Sequence, residues 1–361
     1  MSKRRNICVY AIAKNEAAFV DRFCDAAADA DSIAVLDTGS TDDTVERLRK
    51  RGCIVERETF DPWRFDAARN RSMELVPRDT DICVCIDLDE VLLPGWRDAL
   101  ETAWADETVA GRYLHIDSRN PDGSPASTLF QTKVHCPGAM RWKYPVHEIL
   151  EFAHGFGQVV TIPAMLVEHK PDRNKSRAQY LPLLELAARE MPEDARCAHY
   201  LGREYMYHHR WRDAIRELKR HLSLQSATWR EERAASMRYL SRCYAGLGGK
   251  SEALRWAMLA ICEQDALREN WYAAERAAYE MRDWSAVRWF GERAAQITLR
   301  STSCINESDA WGPGVQDLLG LAYWNQGLPE QALACGEAAL ALSPDDRRLR
   351  DNVKYYRAAV K

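Results

Sequence analysis

Three carboxylates close the stretch Asp81-Ile-Cys-Val-Cys-Ile-Asp-Leu-Asp-Glu90. In it an apolar run, Ile82 to Ile86, leads without interruption into Asp87, Asp89 and Glu90. A short apolar run rich in β-branched residues reads as a buried strand of a parallel sheet. Open α/β sheets hold ligands outside the carboxyl ends of their strands, so these acids are expected where chemistry is done. Asp87 and Asp89 are one residue apart. Carboxylates that close repel unless a cation lies between them or one takes a proton. Hard oxygen ligands of this kind suit Mg²⁺ or Mn²⁺, which also bind substrate phosphates. A solvated acidic turn before Pro94-Gly95 would use the same residues, and the spacing alone leaves both uses open. Cys83 and Cys85 fall on one face of the strand and read as small core residues.

The elements that must position these acids follow from the pattern upstream. Ile7 to Ala13 reads as a first strand, Lys14-Asn15-Glu16 as its turn, and Ala17 to Ala30 as a helix with Phe19, Val20, Phe23 and Ala27 on one face. Ser32 to Leu36 is a second strand. It runs into Asp37-Thr-Gly-Ser-Thr-Asp-Asp-Thr44, where Gly39 permits a tight turn and Thr41 or Asp42 caps a helix reaching Lys50. Cys53 to Glu58 is a third strand, Phe65 to Leu75 a helix, and Asp81 to Ile86 a fourth strand. Strands alternating with helices predict a mainly parallel sheet with crossover helices, an α/β Rossmann-like domain. After Glu90 the rhythm breaks. A helix is expected from Pro94 to Trp104. Strands follow over Gly111 to Asp117 and Thr128 to His135, around a turn at Asn120-Pro-Asp-Gly123, and a last strand runs from Val159 to Val167 before Glu168-His169.

From Ser176 the pattern becomes helical and repetitive. Leu201-Gly202, Tyr205 and Ala214 recur as Leu240-Ser241, Tyr244 and Ala253, and again as Leu319-Gly320, Tyr323 and Ala332, followed by Pro344. A degenerate copy lies between, with Ala274, Ala286 and Phe290. These are the Leu-Gly, Tyr, Ala and Pro positions of the tetratricopeptide pattern, and Arg347 to Ala359 suits the capping helix such arrays need. The expected domains are residues 1–172, α/β, and 173–361, an all-α helical repeat.

The 361-residue length favours two domains, and the net charge of −4 gives no global basic footprint for nucleic acid, although a local basic groove stays open. No run approaches the ~20 apolar residues of a membrane span. Eleven cysteines, an odd number, with no secretory signal point to reduced thiols and a cytoplasmic protein.

Four stretches together resemble the family-2 glycosyltransferases of the GT-A fold. They are Val9 to Glu16, Val35 to Thr44, Ala67 to Asn70 and Ile86 to Glu90, in family order and spacing, and the resemblance covers about residues 6 to 170. Members with helical repeats behind the catalytic domain include bacterial enzymes that sugar-modify peptides, such as the glycocin S-glycosyltransferases. The resemblance implies a metal-dependent, inverting transferase using a nucleotide sugar, UDP-linked, with Mn²⁺ or Mg²⁺. It assigns Asp37 to the uracil or ribose, with Ser40, Asn15 and Glu16 lining the same pocket. It puts Arg69 near the nucleotide or its diphosphate and has Asn70 shape the donor pocket or hold the loop. Asp87 and Asp89 match the metal motif, and His169, at the end of the last core strand, has the placement of an added metal ligand. The base that inversion requires falls at Val146-His-Glu-Ile149 in the family's order, with Glu148 first and His147 second. His115 and His135 read as structural. Trp142 and Tyr144 suit either a sugar face or the core.

Two other classes compete. A nucleotidyltransferase also uses a nucleotide, acids and a metal, but its Gly-rich, Lys-bearing phosphate loop is absent, with Lys14-Asn15-Glu16 in its place. An inactive scaffold binding partners through its repeats is opposed by the intact Asp37, Arg69, Asp87 and Asp89. The acceptor is left open among peptide, glycan and small molecule. The repeats are expected to present it, or to bind a second copy or a partner protein, with Trp211, Trp229 and Trp324 as candidate anchors.

Overall fold

In a computed structural model the chain divides into two compact units, Met1–Ala187 and Ala188–Lys361. The structure describes residues 4–119, 123–171, 179–301, 303 and 305–360. The domain boundary expected at 172/173 and the turn residues Asn120 to Asp122 lie outside the described residues.

The first unit is built on an eight-stranded sheet. Its early strands are β1 (Ile7–Ala13), β2 (Ser32–Asp37), β3 (Ile54–Arg57) and β4 (Ile82–Cys85), joined by helices α1 (Val20–Ala26), α2 (Thr44–Lys50) and α3 (Phe65–Met73). A short β5 (Glu90–Leu92) and α4 (Trp96–Ala103) follow, then β6 (Thr108–Arg119), β7 (Pro125–His135), a small hairpin β8 (Met140–Lys143) and β9 (Ile149–Phe152), and β10 (Gln158–His169). The sheet order is β3-β2-β1-β4-β7-β6-β10-β5, and β8-β9 form a separate two-stranded sheet. β3, β2, β1 and β4 run parallel, whereas β7 is antiparallel to both its neighbours and β5 is antiparallel to β10.

Alternation along β1 explains why both faces are covered. Ile7, Val9 and Ala11 join one core with Val20, Phe23, Leu48, Trp96 and Leu100 from α1, α2 and α4. Cys8 and Tyr10 point to the opposite core with Cys83, Cys85, Leu75, Met140 and Trp142, which the β8-β9 hairpin and the end of α3 complete. Cys83 and Cys85 are thus core residues on one face. The chain leaves β1 toward β2 and β3 on one side and returns to β4 on the other, so the crevice at the carboxyl ends of β1 and β4 is the switch point where such sheets bind ligands.

A helix, α5 (Tyr180–Glu190), spans the division between the units. The second unit continues as antiparallel pairs: α6 (Ala195–Tyr207) with α7 (Trp211–Ser223), α8 (Arg230–Gly246) with α9 (Lys250–Glu263), α10 (Arg268–Glu280) with α11 (Trp284–Gln296), and α12 (Gly314–Asn325) with α13 (Pro329–Leu342). A last helix, α14 (Arg347–Ala359), packs on α13. Each pair touches the next, as in a tetratricopeptide array. The Leu-Gly position has a steric cause: a Cβ on Gly202 would stand 2.7 Å from Leu218 Cγ, so only glycine lets α6 and α7 approach this closely. Of the three tryptophans considered as anchors, Trp229 is 41% exposed. Trp211 is half-buried against His209, and Trp324 is half-buried against Tyr355 and Tyr356. Among the described residues no helix is long and apolar enough to cross a membrane.

Glu275 on α10 carries an unusual electrostatic cost. Its side chain is fully buried, and among the described residues neither carboxyl oxygen finds a hydrogen-bond partner. Burial raises its pKa well above the ordinary value, against a smaller opposing effect of Arg268. The folded state therefore keeps the proton that the unfolded chain releases, so this group's stabilisation is present below the unfolded pKa and lost as pH rises. Replacing it by glutamine, Glu275→Gln, is expected to give a protein whose thermal midpoint, followed by far-UV circular dichroism, matches wild type near pH 4.5 and exceeds it increasingly toward pH 8. A constant gap, or a less stable variant at pH 8, would contradict the buried neutral acid.

Candidate functional site

The loops at the carboxyl ends of β1 and β2 brace each other. Asn15 adopts a left-handed conformation (φ 55°), which asparagine tolerates better than most residues. Its amide Oδ1 accepts from the Thr41 backbone N–H at 2.7 Å, while its own N–H donates to Ser40 Oγ at 2.8 Å. The Glu16 N–H donates to Thr44 Oγ1 at 2.8 Å. Asp37 is fully buried and turns its carboxylate into its own loop: Oδ1 accepts from the backbone N–H of Gly39 at 3.2 Å and of Ser40 at 3.1 Å, and from Arg57 Nε at 3.2 Å. Gly39 sits at φ 109°, so the turn that allows these bonds favours glycine. The structure therefore gathers Asn15, Glu16, Asp37 and Ser40 in one braced pair of loops. Thr44, the last residue of the Val35–Thr44 stretch, and Arg57, which carries no sequence signal of its own, complete it.

α3 delivers Arg69 beneath the end of β4. Its guanidinium is buried and forks between two carboxylates, donating from Nη2 to Asp87 Oδ1 at 2.8 Å and from Nε to Glu148 Oε1 at 2.6 Å. Cys85 Sγ accepts from Nη1 at 3.4 Å, and the Trp142 ring lies 4.9 Å from the guanidinium carbon. Burial opposes the charge, but Asp87 and Glu148 outweigh it, and the pKa stands well above the ordinary arginine value. Asn70, the next residue, makes a two-way bond with the Trp142 backbone, donating to its carbonyl at 2.9 Å and accepting from its N–H at 2.8 Å. Arg69 and Asn70 together thus dock the β8-β9 hairpin, which carries Glu148 at its turn. His147 sits in that turn at φ 52°, its ring 5.5 Å from Tyr180.

Past β4 the chain turns sharply and β5 pairs with the end of β10, placing His169 opposite Glu90. The turn is pinned by the Lys170 N–H, which donates to the Asp89 carbonyl at 2.7 Å. His169 lies between two acids, its Nε2 3.7 Å from Asp89 Oδ2 and its Nδ1 3.7 Å from Asp117 Oδ1. Asp117 and Asp89 together push its pKa up to about 9. Glu90 is buried beneath this layer. Its Oε2 accepts from the Asp87 N–H at 2.9 Å, and its Oε1 lies 3.1 Å from His115 Nε2 and 3.3 Å from Lys133 Nζ. Lys133 also stands 3.6 Å from Asp87 Oδ2. Burial lowers its proton affinity, Glu90 and Asp87 outweigh that, and the ammonium is held well above the ordinary lysine pKa. Lys133 was not foreseen from the sequence: it sits among Thr and Val on β7 with no motif around it.

His135 is buried in the opposite core, where Tyr10 hydroxyl approaches its Nε2 at 2.9 Å and the Cys136 carbonyl its Nδ1 at 3.0 Å. Trp142 Nε1, a donor only, donates to the Tyr10 oxygen at 3.0 Å, so the tyrosine proton goes to Nε2 and the imidazole proton to Cys136. Burial lowers His135 to about 4, consistent with a neutral ring in this chain. Trp142 and Tyr144 are buried.

The donor chemistry for a divalent cation fits in part. Among the described residues no three histidine, cysteine or acidic side chains gather to hold a metal. Asp89 Oδ2 and His169 Nε2, 3.7 Å apart, set a hard carboxylate oxygen beside an imidazole nitrogen, which could ligate only after giving up the proton that Asp117 and Asp89 hold on it. Mg²⁺-type ions are commonly held by one or two protein groups, with water and substrate phosphates completing the shell. Asp87 differs, because its two oxygens face Arg69 and Lys133.

Residues 8–157 match the family described as Glycosyl transferase family 2. Among solved structures the chain is similar to the crystal structure of MamA, at 18% identity over 45% of this chain and 86% of that one, with a TM-score of 0.38. It is also similar to a thermophilic TPR protein of Thermus thermophilus, at 20% identity over 50% of this chain and 88% of that one, with a TM-score of 0.35. The strand-end loops, the acids after β4 and the match over residues 8–157 agree: the amino-terminal unit is a family 2 glycosyl transferase domain, followed in the chain by a tetratricopeptide-like helical array.

Proposed function

We propose that this protein transfers a sugar, with inversion, from a UDP-sugar to an acceptor nucleophile. The observation that carries the reading is the Arg69 fork, which ties Asp87 at the strand end to Glu148 on the hairpin. One cation thereby fixes a donor-side acid and an acceptor-side acid relative to each other. Direct displacement needs a base within hydrogen-bond reach of the nucleophile and a fixed environment for the departing diphosphate. Glu148 is the base that takes the acceptor proton, and His147 beside it borders the acceptor. Asn15, Glu16, Asp37 and Ser40 bind the uridine side, while Asn70 holds the hairpin that closes the pocket. Asp89 and His169 hold Mg²⁺ or Mn²⁺, and Asp87 acts on the donor side through Arg69. When bound, the ion opposes negative charge developing on the diphosphate.

The helical pairs present the acceptor or a second copy of the chain. Stacked helix pairs expose an extended face suited to a peptide or protein. The ten described cysteines are all unpaired thiols, which supports a reducing, cytoplasmic setting.

Two variants test this reading. Asp89→Asn is expected to abolish the thermal shift given jointly by UDP and Mn²⁺ while leaving the circular dichroism spectrum unchanged, since an amide replaces a charged ligand at little steric cost. A variant that keeps the shift at limiting Mn²⁺ removes Asp89 from the cation site. Glu148→Gln is expected to lower the turnover number by about 10²–10⁴-fold, the usual contribution of a general base. Release of the nucleoside diphosphate from a panel of UDP-, GDP- and TDP-sugars, measured with and without acceptor, reports turnover and donor choice together. If donor affinity collapses and turnover survives, Glu148 is a binding residue.

A further inference from the structure

Two thiols of the first unit stand against each other, apart from the strand-end acids. Cys24 lies in the last turn of α1 and Cys53 immediately precedes β3, and their sulfurs are 3.6 Å apart although the residues are 29 positions apart in the chain. Thiols this close share one hydrogen bond, so the first proton to leave yields a thiolate that the other thiol stabilises. The Cys53 bond lowers the Cys24 pKa against the effect of burial, and the Arg51 guanidinium acts in the same direction. Arg51 is itself held by Asp21 at 3.5 Å and by Asp25. Both thiols are nearly buried, at 3% and 8% exposure, but Asp25, Arg51 and Gly52 beside them are exposed, so the pair lies just beneath the surface. The thiols of the sheet core differ, since burial pushes Cys8 and Cys85 up to about 11.

We propose that Cys24 and Cys53 form an oxidative modification site, at which hydrogen peroxide closes a disulfide that straps α1 to the entry of β3. The Cys24 thiolate attacks one peroxide oxygen, the O–O bond breaks, and the departing hydroxide takes up the thiol's proton as water, leaving a sulfenic acid on Cys24. The Cys53 sulfur then attacks the Cys24 sulfur, its proton goes to the leaving hydroxyl, and a second water departs. Both thiols are oxidised to one disulfide, and the peroxide is reduced to water. The bond joins the far ends of two helices that leave the braced loops. At the head of α1 the Phe19 N–H donates to the Glu16 carbonyl at 2.9 Å, and Thr44, which opens α2, accepts from the Glu16 N–H. The closed ring contains β2 and the Asp37–Thr44 loop. A cross-link between residues distant in the chain removes freedom from the unfolded state, so the oxidised form is the more stable one. In a reducing compartment such a bond is transient and reports oxidant. The inference stands independently of the glycosyl-transfer reading.

The test uses the full chain, first reduced and then exposed to hydrogen peroxide. Remaining thiols are alkylated, and peptides are mapped by mass spectrometry without reductant. A peptide linked through Cys24 and Cys53 is expected, and it separates into two alkylated peptides when dithiothreitol precedes alkylation. The oxidised protein is expected to melt about 5 °C or more above the reduced form, followed by far-UV circular dichroism, with no such rise in equally treated Cys24→Ser. Cys53→Ser should instead carry a sulfenic acid on Cys24 that dimedone traps. Cys262, which is exposed, reports that the oxidant acted. Oxidised Cys262 beside alkylatable Cys24 and Cys53 overturns the proposal, a result that needs no variant to fold. A linked peptide without a higher thermal midpoint overturns the strap. Absence of the dimedone adduct on Cys24 in folded Cys53→Ser overturns the order of attack.

Discussion

A single buried guanidinium organises the first unit's functional end. Arg69 has nowhere to put its charge except on acids, and the two acids it takes come from elements far apart in sequence, the β4 end and the β8-β9 turn. Charges in such a place are tolerated only when paired and hydrogen-bonded. The pairing works in both directions, because Asp87 and Glu148 gain a fixed geometry that a solvated carboxylate would lack. The Trp142 ring beneath the guanidinium and the Asn70 bonds to the Trp142 backbone make the hairpin part of the same arrangement. The order of the hairpin and the position of the acids are therefore one physical problem with one solution.

The second half of the site is built by different means. Asp37 and Asn15 accept from backbone N–H groups, Asp37 from Arg57 as well, and their loops sit where β1 and β2 stop. Around Glu90 the fold uses charge again, setting Lys133 and His115 against one carboxylate. Burial alone would push the Glu90 carboxyl up, but Lys133 leads the opposing effects and the net pKa falls below the ordinary value. The Glu90 carboxylate is therefore held in its ionised form by side chains of the fold itself.

How much of this was legible in the sequence depended on range. β1 to β4 and the helices between them followed from apolar runs and turn residues, since their periodicity is local. The acids were found because they interrupt such a run. β5, with three residues, and the four-residue strands β8 and β9 were missed, because they are too short to show a period and exist only through pairing with β10 and with each other. The predicted first helix, Ala17 to Ala30, is observed only over Val20–Ala26, with turns at both ends. Lys133 was invisible for a different reason: its meaning lies in Asp87 and Glu90 across the sheet, and a lone lysine on a strand usually faces water. His169 stood out by position, yet its second partner, Asp117, comes from a neighbouring strand that no motif marks.

The repeats show the same lesson from the opposite direction. The Leu-Gly and Ala positions revealed helix pairs because their steric role repeats, but the longer interval between α11 and α12 carries no such repeated position. In the structure that extra length returns across the first helices of two earlier pairs. Arg238, itself buried, donates to Glu307 at 3.1 Å, to the Ile305 carbonyl at 3.2 Å and to Asn270 at 2.6 Å, and Arg242 also reaches Glu307. Trp311 donates to Glu269 at 2.8 Å. A buried arginine in α8 thus requires an acid more than sixty residues downstream, and the longer interval between α11 and α12 is what supplies it. Both units bury an arginine and bring to it an acid distant in sequence, Glu148 to Arg69 and Glu307 to Arg238. In each, the sequence showed the periodic frame and concealed the charge that closes it.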